Sequence, residues 1–293
     1  MSETTAALQR KIDSARELKS VVRTMKSLAA HSIAQYERAV RSLADYYRAI
    51  ELGLAICFRE QSPARAVPTP EKPQTGALTA AIVFGSDQGL VGQFNDHLAH
   101  FVVTELERRP GNKGVWAIGE RVYASLQDAG LPMRLLYGVP NSVTAITPLI
   151  GQILIDHEAL ADEVYIFHNA PGSRASYQQV KQRLLPLDAE WQRNLSQVKW
   201  PTRMLSEVIG DGEPIISALV REYLFVALFR ACAESLVSEN ASRLAAMQRA
   251  QRNIDDLLEE LQAAFHQQRQ TAIDEELFDV ISGFEVVANE SHG

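Results

Sequence analysis

The sequence lacks the residues on which disulfide-rich or membrane-spanning proteins depend. Only two of its 293 residues are cysteine, Cys57 and Cys232, which excludes a disulfide framework or a thiolate metal site and favours a reducing compartment. No stretch reaches the roughly 18 uninterrupted apolar residues that cross a bilayer, and residues 1–14 lack the apolar core of a signal peptide. We therefore expect a soluble protein.

Motifs for catalysis and cofactor binding are also missing. There is no phosphate loop of the G-x-x-x-x-G-K-[ST] type, no G-x-G-x-x-G fingerprint and no G-x-S-x-G nucleophile turn. His97 and His100 share a helix face, but no carboxylate or thiol ligands accompany them. Asp156 and Glu158 near a helix end give no basis for acid–base roles. The sequence predicts no catalytic residue, no metal site and no cofactor.

Charge is distributed unevenly along the chain. The net charge of -7 argues against nucleic acid as the main partner, because binding to phosphates needs a basic surface. Residues 1–60 carry ten Lys/Arg and seven Asp/Glu, whereas residues 211–293 carry six and fifteen. The basic N-terminal and acidic C-terminal segments are either separate surfaces or neighbours in the fold.

The N-terminal segment has the pattern of one long helix. Between Thr4 and Phe58 there is no proline and only one glycine, Gly53. Apolar or small residues recur at steps of three and four, which places them on one stripe of a helix about 80 Å long. The stripe comprises Leu8, Ile12, Ala15, Leu18, Val22, Met25, Ala29, Ile33, Tyr36, Val40, Leu43, Tyr47, Ile50 and Leu54.

The C-terminal segment has the same character. From Ile215 to Ala288 there is no proline, and only Gly283 interrupts. Its apolar stripe comprises Leu244, Met247, Ile254, Leu258, Leu261, Phe265, Ala272 and Val280, with polar interruptions at Gln251 and Gln268. Two such helices bury both stripes most economically as an antiparallel coiled coil, with the acidic helix against the basic one.

The middle of the chain changes from helical to α/β patterning. Four prolines in Ser62–Gly76 predict a linker. Apolar runs at Leu78–Phe84, Gly114–Gly119 and Glu163–Asn169 then alternate with helical stretches at His97–Arg109, Gly119–Gly130 and Asn141–His157. This order predicts a Rossmann-like α/β domain with a central parallel sheet covered on both faces. We place a further strand within Trp191–Ser206.

These patterns give an α/β fold class with long terminal helices and four segments. They are an N-terminal coiled-coil helix at 1–60, a proline-rich linker at 61–76, an α/β domain at 77–208 and a C-terminal coiled-coil helix at 212–288. The string from Phe84 to Asn95, FGSDQGLVGQFN, lies between a strand and a helix. Its glycine spacing does not fit a phosphate site, and we interpret it as a tight turn capped by Asp87 and Asn95.

Several strings resemble one family. SDQGLVGQFN resembles the SDRGLCGGFN signature of the gamma subunit of F-type ATP synthases. The C-terminal helix resembles that family's final helix in an S-E-x-x-x-R-x-x-A-M core that begins at Ser238 and in an R-Q-x-x-I-x-x-E-L core that begins at Arg269. Arg10–Ala30 is similar to the family's opening, and Leu184–Leu187 to a further short string. The motif positions in the turn are Ser86, Asp87, Gly89, Leu90, Gly92, Phe94 and Asn95.

The resemblance implies a central rotary shaft without catalytic residues. In the family, the terminal helices lie inside a ring of alternating alpha and beta subunits, and the α/β domain sits on the membrane rotor ring of c-type subunits beside an epsilon-type subunit. Rotation couples ion translocation to ATP synthesis or hydrolysis. The implied location is peripheral, on the cytoplasmic face of the bacterial inner membrane.

The resemblance also implies partner contacts residue by residue. Arg269 and Gln270 would contact a beta-subunit loop, and Met25, with Arg23 and Lys26 beside it, would face an acidic beta-subunit segment. An apolar bearing at the top of the ring would hold Leu277, Val280, Ile281 and Val287. The alternative for each residue is packing within the coiled coil.

Departures from the family pattern indicate a divergent bacterial gamma subunit. It would belong to an atypical or second ATPase complex, which could translocate protons or sodium. Gln88, Val91 and Gln93 replace the usual Arg, Cys and Gly of the turn. Two other classes of function stay open from the residues alone. One is a non-rotary coiled-coil adaptor or scaffold, and the other is a nucleotide-using enzyme built on the α/β domain.

Overall fold

The computed structural model describes residues 4–60, 78–157, 162–172, 177–187, 189–198, 200–202, 208 and 212–290. Of residues 60, 157, 189, 190, 196, 279 and 282–290 only the backbone is described. The chain divides into two compact units, one made of residues 1–28 with 245–293 and the other of residues 29–244. The predicted linker at Ser62–Gly76 lies outside the described residues.

Two long helices begin and end the described fold. Helix α1 spans Thr5–Glu60 and α6 spans Gly212–Glu290. Between them, the described residues form five strands and four shorter helices. In chain order they are β1 (Leu78–Phe84), α2 (Phe94–Glu107), β2 (Asn112–Ile118), α3 (Glu120–Asp128), β3 (Met133–Tyr137), α4 (Val143–His157), β4 (Glu163–Pro171), β5 (Tyr177–Leu185) and α5 (Ala189–Ser196).

The unit of residues 29–244 is built around a five-stranded sheet of order β3-β2-β1-β4-β5. The first four strands run parallel, and β5 is antiparallel to β4. The predicted fold class is confirmed, with one antiparallel edge strand added to the parallel sheet. Continuous apolar runs form β1, β2 and β4 because these central strands are buried on both faces.

Both faces of the sheet are covered. Alternate residues of β1, Ala80 and Ile82, pack with α4 and with α6 residues around Leu228. The intervening Ala81 and Val83 pack with α2 and α3 on the other face. The alternation follows from the period of two in a strand, which sends successive side chains to opposite faces.

The unit of residues 1–28 and 245–293 contains the ends of the two long helices, packed side by side. Ile12 and Ala15 of α1 form an apolar cluster with Leu258 of α6. Further along α1, Lys19 Nζ lies 2.6 Å from Asp255 Oδ1, and Lys26 Nζ donates to Gln251 Oε1 at 2.9 Å. Residue numbers rise on α1 as they fall on α6, so the pairing is antiparallel, as predicted.

Two members of the predicted stripes are exposed. Leu18 is 57% exposed and Val280 is 56% exposed. A two-helix contact buries a strip narrower than the whole apolar face, and Leu18 lies beyond its edge. Val280 lies one helical turn past Glu276, which lines a groove with Thr5, the first residue of α1. The polar residue predicted to interrupt the stripe, Gln251, lies inside the contact and accepts a hydrogen bond from Lys26.

The strand predicted at Trp191–Ser206 is wrong for the described part of that range, which contains no strand; residues 199 and 203–206 lie outside the described residues. Residues 189–196 form helix α5, in which Trp191 and Leu195, four residues apart, face the same apolar cluster. Trp191 Nε1 also donates to Tyr223 Oη at 3.2 Å. The last strand among the described residues is β5, Tyr177–Leu185, whose polar edge-strand sequence carries no apolar run.

Candidate functional site

The C-terminal helix exposes a cluster of large apolar side chains. Leu277, Val280 and Ile281 are 56%, 56% and 49% exposed, and their neighbours Ile273 and Phe278 are exposed as well. Exposed apolar side chains that lie together mark a surface for a partner. Of Val287, the fourth residue predicted for this surface, the side chain lies outside the described part of the chain.

Two helical turns before this cluster, Arg269 and Gln270 are both exposed. Arg269 lines a groove of about 430 Å³ between the ends of α1 and α6. Gln9 and Thr5 form the α1 side of this groove, and Phe265 lines it on α6. The pair is therefore available to a partner, and its predicted contact with a beta-subunit loop stays a prediction.

The three residues predicted on α1 differ in their surroundings. Arg23 is exposed, whereas Met25 and Lys26 are half-buried. Because Lys26 donates to Gln251, part of its role is to hold the two helices together. On the outer side of α1, Leu18, Val21 and Leu28 are 57%, 57% and 63% exposed. Arg23 is two residues from Val21 and five from Leu18 and Leu28, so it lies on a different side of the helix from these apolar side chains.

The turn after β1 is held by Asn95. Its Oδ1 accepts a hydrogen bond from the backbone N of Ser86 at 3.1 Å, and its Nδ2 donates to Ser86 Oγ at 2.9 Å. Ser86 and Phe94 are fully buried, and Asn95 is nearly so. Leu90 has a φ of 63° and Gly92 a φ of 61°, so two left-handed residues close the turn.

Asp87 links this turn to the ends of two neighbouring strands. Its Oδ1 accepts a hydrogen bond from the backbone N of Glu120, at the start of α3, and its Oδ2 accepts one from the backbone N of Val139, after β3. A carboxylate at a helix N-terminus also interacts favourably with the helix dipole. The motif thus organises the carboxyl edge of the sheet while leaving Leu90 60% exposed.

A shallow groove of about 240 Å³ lies beside this turn. Asp87, Gln88, Glu239 and Arg243 are among the residues that line it. Arg243 Nη2 lies 2.6 Å from Glu239 Oε1. Burial raises the pKa of Glu239, and the nearby Asp87 carboxylate raises it further, while Arg243 opposes both effects. Glu239 and Arg243 are four residues apart in the motif, so they lie on the same face of the helix and contact each other.

The sequence reasoning missed one further polar cluster, at the ends of β1 and β4. His168, which is buried, has its Nε2 2.9 Å from Glu234 Oε2, and Ser235 Oγ donates to the backbone O of Phe84 at 2.8 Å. The available signal was a histidine that directly follows the apolar residues 164–167 of a strand. Among the described residues there is no group of three or more His, Cys, Asp or Glu side chains that could hold a metal ion.

None of the helices in the described ranges combines the length and apolar character that crossing a bilayer requires.

The sequence profile of the ATP synthase family matches residues 4–287, nearly the whole chain. The chain belongs to the ATP synthase gamma-chain family. The ATP synthase gamma chain of Nitrosomonas eutropha is 26% identical over 292 residues, which cover 94% of this chain and 97% of the relative. That of Glaesserella parasuis is 29% identical over 213 residues, 69% of this chain and 72% of the relative.

Solved structures share the fold. A chain in the mitochondrial ATP synthase of Euglena gracilis, solved as OSCP/F1/c-ring in rotational state 3, superposes with a TM-score of 0.65 at 16% identity. The match covers 97% of this chain and 94% of that one. Membership of the gamma-chain family makes the protein a non-catalytic component of an ATP synthase and favours this interpretation over the adaptor.

Proposed function

We propose that this chain is the central rotary shaft of an F-type ATP synthase. Its turning couples ion translocation through the membrane rotor to ATP synthesis or hydrolysis in the ring of alpha and beta subunits. The observation that carries the proposal is the exposed apolar cluster of Leu277, Val280 and Ile281 at the end of an antiparallel helix pair. Such a surface is costly to leave in water and suits an apolar bearing formed by partner subunits.

The contacts with the ring come from the family resemblance, and the exposure of Arg23, Arg269 and Gln270 supports them. Arg269 and Gln270 bind a beta-subunit loop, while Arg23, with Met25 and Lys26, faces an acidic beta-subunit segment. A guanidinium can form paired hydrogen bonds with a carboxylate, which gives such contacts both attraction and orientation. Val287 is assigned to the bearing only by the resemblance of the C-terminal helix to the family's final helix.

The α/β unit carries the remaining partners. It sits on the rotor ring of c-type subunits with an epsilon-type subunit beside it, on the cytoplasmic face of the bacterial inner membrane. The Euglena chain of the same fold was solved together with F1 and the c-ring, which supports this assignment. The proposed domain organisation is an N-terminal coiled-coil helix at 1–60, a linker at 61–76, an α/β domain at 77–208 and a C-terminal coiled-coil helix at 212–288.

Co-purification tests the assignment. The full chain, affinity-tagged, is recovered from its native membranes in mild detergent, and the accompanying proteins are identified by mass spectrometry. We expect alpha-, beta-, epsilon- and c-type subunits in one complex with ATPase activity. Recovery of the chain without alpha- and beta-type subunits would contradict the shaft and favour the adaptor. The matched control is a tagged, unrelated coiled-coil protein from the same membranes.

A further inference from the structure

Two consecutive residues of α6 bind two neighbouring strands, one at the last residue of β1 and the other at the residue of β4 that pairs with it. Phe84, the last residue of β1, is paired in register with His168 of β4. Ser235 Oγ donates to the backbone O of Phe84 at 2.8 Å, and Glu234 Oε2 lies 2.9 Å from His168 Nε2. One short stretch of the helix is therefore bonded to two adjacent strands at the carboxyl edge of the sheet.

These contacts are shielded from water. Ser235 and His168 are each 2% exposed, and the side chain of Glu234 is 13% exposed. Hydrogen bonds to an ionised carboxylate are stronger than neutral ones, and their strength rises when water is excluded. In the described part of the chain, the other ring nitrogen of His168, Nδ1, has no hydrogen-bond partner. The bond to Glu234 therefore orients the imidazole.

The carboxylate of Glu234 is oriented from its other side as well. Arg230 Nε donates to Glu234 Oε1 at 2.7 Å, so each oxygen of the carboxylate has a partner. Arg230 in turn interacts electrostatically with Glu51 of α1, where burial raises the pKa of Glu51 and the guanidinium opposes the rise. The cluster thus extends from the sheet through α6 to α1.

We propose that His168, Glu234 and Ser235 form a strand-end clamp that fixes the rotation of α6 about its own axis against the sheet. The inference rests on the proposed rotary function. Apolar packing around Leu228 and Ala231 holds the helix close but is non-directional, so it resists a small rotation weakly. Hydrogen bonds weaken steeply as their angle departs from linear, which makes this clamp the directional element. His168 and Glu234 are positioning residues for the transfer of torque.

The adjacent residue of β4 provides a matched control. Asn169 is also fully buried, but its Nδ2 donates to the backbone O of Phe94 at the start of α2. Successive strand residues point to opposite faces, so Asn169 supports the sheet on the side away from the clamp. A variant at Asn169 therefore loses a comparable buried bond while the clamp stays whole.

The clamp is tested by single-molecule rotation of the reassembled ATP synthase with its ring held on a surface. A probe is attached through Asp128→Cys, at the exposed end of α3. The native Cys57 and Cys232 are buried, and burial raises the pKa of the Cys232 thiol, so labelling favours the new cysteine. The measured quantity is the angular variance of the probe at each pause.

We expect the variance to rise over the parent in His168→Leu and Ser235→Ala, and most in the double variant. His168→Gln, which keeps a donor near the Nε2 position, restores the parent variance, and Asn169→Leu leaves it unchanged. Ser235→Ala removes one hydroxyl only, so it preserves the test if His168→Leu does not fold. The clamp would be overturned if His168→Leu and Ser235→Ala both showed the angular variance of the parent. It would also be overturned if the angular variance of His168→Gln were as large as that of His168→Leu.

The same assay separates the two proposals. If the parent complex hydrolyses ATP while the probe stays still, the rotary function fails and the clamp fails with it. If the parent rotates and the clamp variants keep its variance, the rotary function stands and the clamp alone is refuted. A lower melting temperature in the variants without a change in variance also counts against the clamp, because it indicates a purely structural bond.

Discussion

Asn95 uses both ends of its side-chain amide to hold the turn after β1. Because Ser86 is buried, the loss of this amide leaves the backbone N of Ser86 without its acceptor, while Ser86 Oγ keeps its bond to the backbone O of Gln88. Leu90 is kept at positive φ on the same turn, so the strain there persists only while the surrounding bonds hold. Asn95 therefore contributes to the local stability of this turn together with Asp87.

We predict that Asn95→Ala destabilises the full chain by about 1–3 kcal/mol, the usual cost of leaving a buried polar group unsatisfied. Equilibrium urea unfolding measures the change. Gln93→Ala is the matched control, because Gln93 begins α2 without a side-chain capping bond and is exposed. Equal losses in the two variants would show that the amide bonds of Asn95 do not hold the turn.

The ionised carboxyl of Glu234 stabilises the fold at neutral pH, and this contribution is lost in acid. Burial acts to raise its pKa, but hydrogen bonds from His168 and Arg230 outweigh burial, so the pKa lies below its ordinary 4.5. A carboxyl with a lowered folded-state pKa stabilises the fold above its unfolded-state value. That contribution is lost as the pH falls through the folded-state pKa.

We therefore predict that the difference in unfolding free energy between the parent chain and Glu234→Gln shrinks as the pH falls below about 4.5. Urea unfolding from neutral to acid pH measures it. Glu239→Gln is the control, for which the difference in unfolding free energy should change with pH in the opposite direction. Since burial raises the pKa of Glu239, the parent gains stability relative to that variant as the pH falls. A pH-independent difference for Glu234 would contradict the lowered pKa.

At the scale of elements, the paired ends of α1 and α6 depend on a narrow strip of apolar contact. Leu258 is 8% exposed in that strip, whereas its neighbour Leu257 is 44% exposed. Adjacent helix residues are separated by about 100° around the axis, so one can face the partner helix while the next faces solvent. This pair allows the contact to be tested with identical chemistry.

Leu258→Asp should destabilise the helix pair by about 2 kcal/mol or more, since it loses a buried leucine and introduces an unpaired charge. Leu257→Asp should stay within about 0.5 kcal/mol of the parent, as exposed substitutions do. Thermal melting followed by circular dichroism compares the two. Similar melting of both variants would show that Leu258 is not part of the contact.

Sequence patterns predict the elements that bury a repeating apolar face. The long helices and the central strands β1, β2 and β4 are predictable because their periodicity or continuous apolar runs reflect burial. Edge strand β5 is not predicted because its sequence, YQQVKQRLL, is polar. The sequence pattern assigns α5 to a strand because its apolar residues are few. Short or half-exposed elements carry little of the burial signal.

The candidate site is predicted less completely. Asp87 and Asn95 are expected to cap the turn, and they do, but the partners of Asp87 at residues 120 and 139 lie far along the chain. The contact of Glu234 with His168 spans 66 residues and has no periodic signal. Polar contacts of this kind depend on tertiary placement, which a single sequence does not encode in its local pattern.

On the scale of the whole molecule, the exposed pair Arg269–Gln270 is the best place to separate partner contact from folding. Both side chains lie outside the strip that joins the helices, so their loss leaves the isolated chain intact. A contact with the ring, in contrast, is made only in the assembled complex. Turnover and stability should therefore respond differently to substitution.

Arg269→Ala with Gln270→Ala should reduce ATP turnover in the reconstituted complex while the melting temperature of the chain is unchanged. An interface arginine that anchors a contact typically costs about 2 kcal/mol when truncated, which corresponds to a loss of about thirtyfold in its binding equilibrium. Gln248→Ala with Arg249→Ala, an exposed pair on the same helix, is the control. Equal turnover in both double variants would remove Arg269 and Gln270 from the ring contact.

The central claim is that this chain turns inside the ring of its complex. The most direct measurement is ATP-driven rotation of a probe on Asp128→Cys in the reconstituted complex, with ATP hydrolysis recorded in the same preparation. The account predicts stepwise rotation in one direction that stops when ATP is removed. Sustained hydrolysis with a stationary probe on this chain would contradict it.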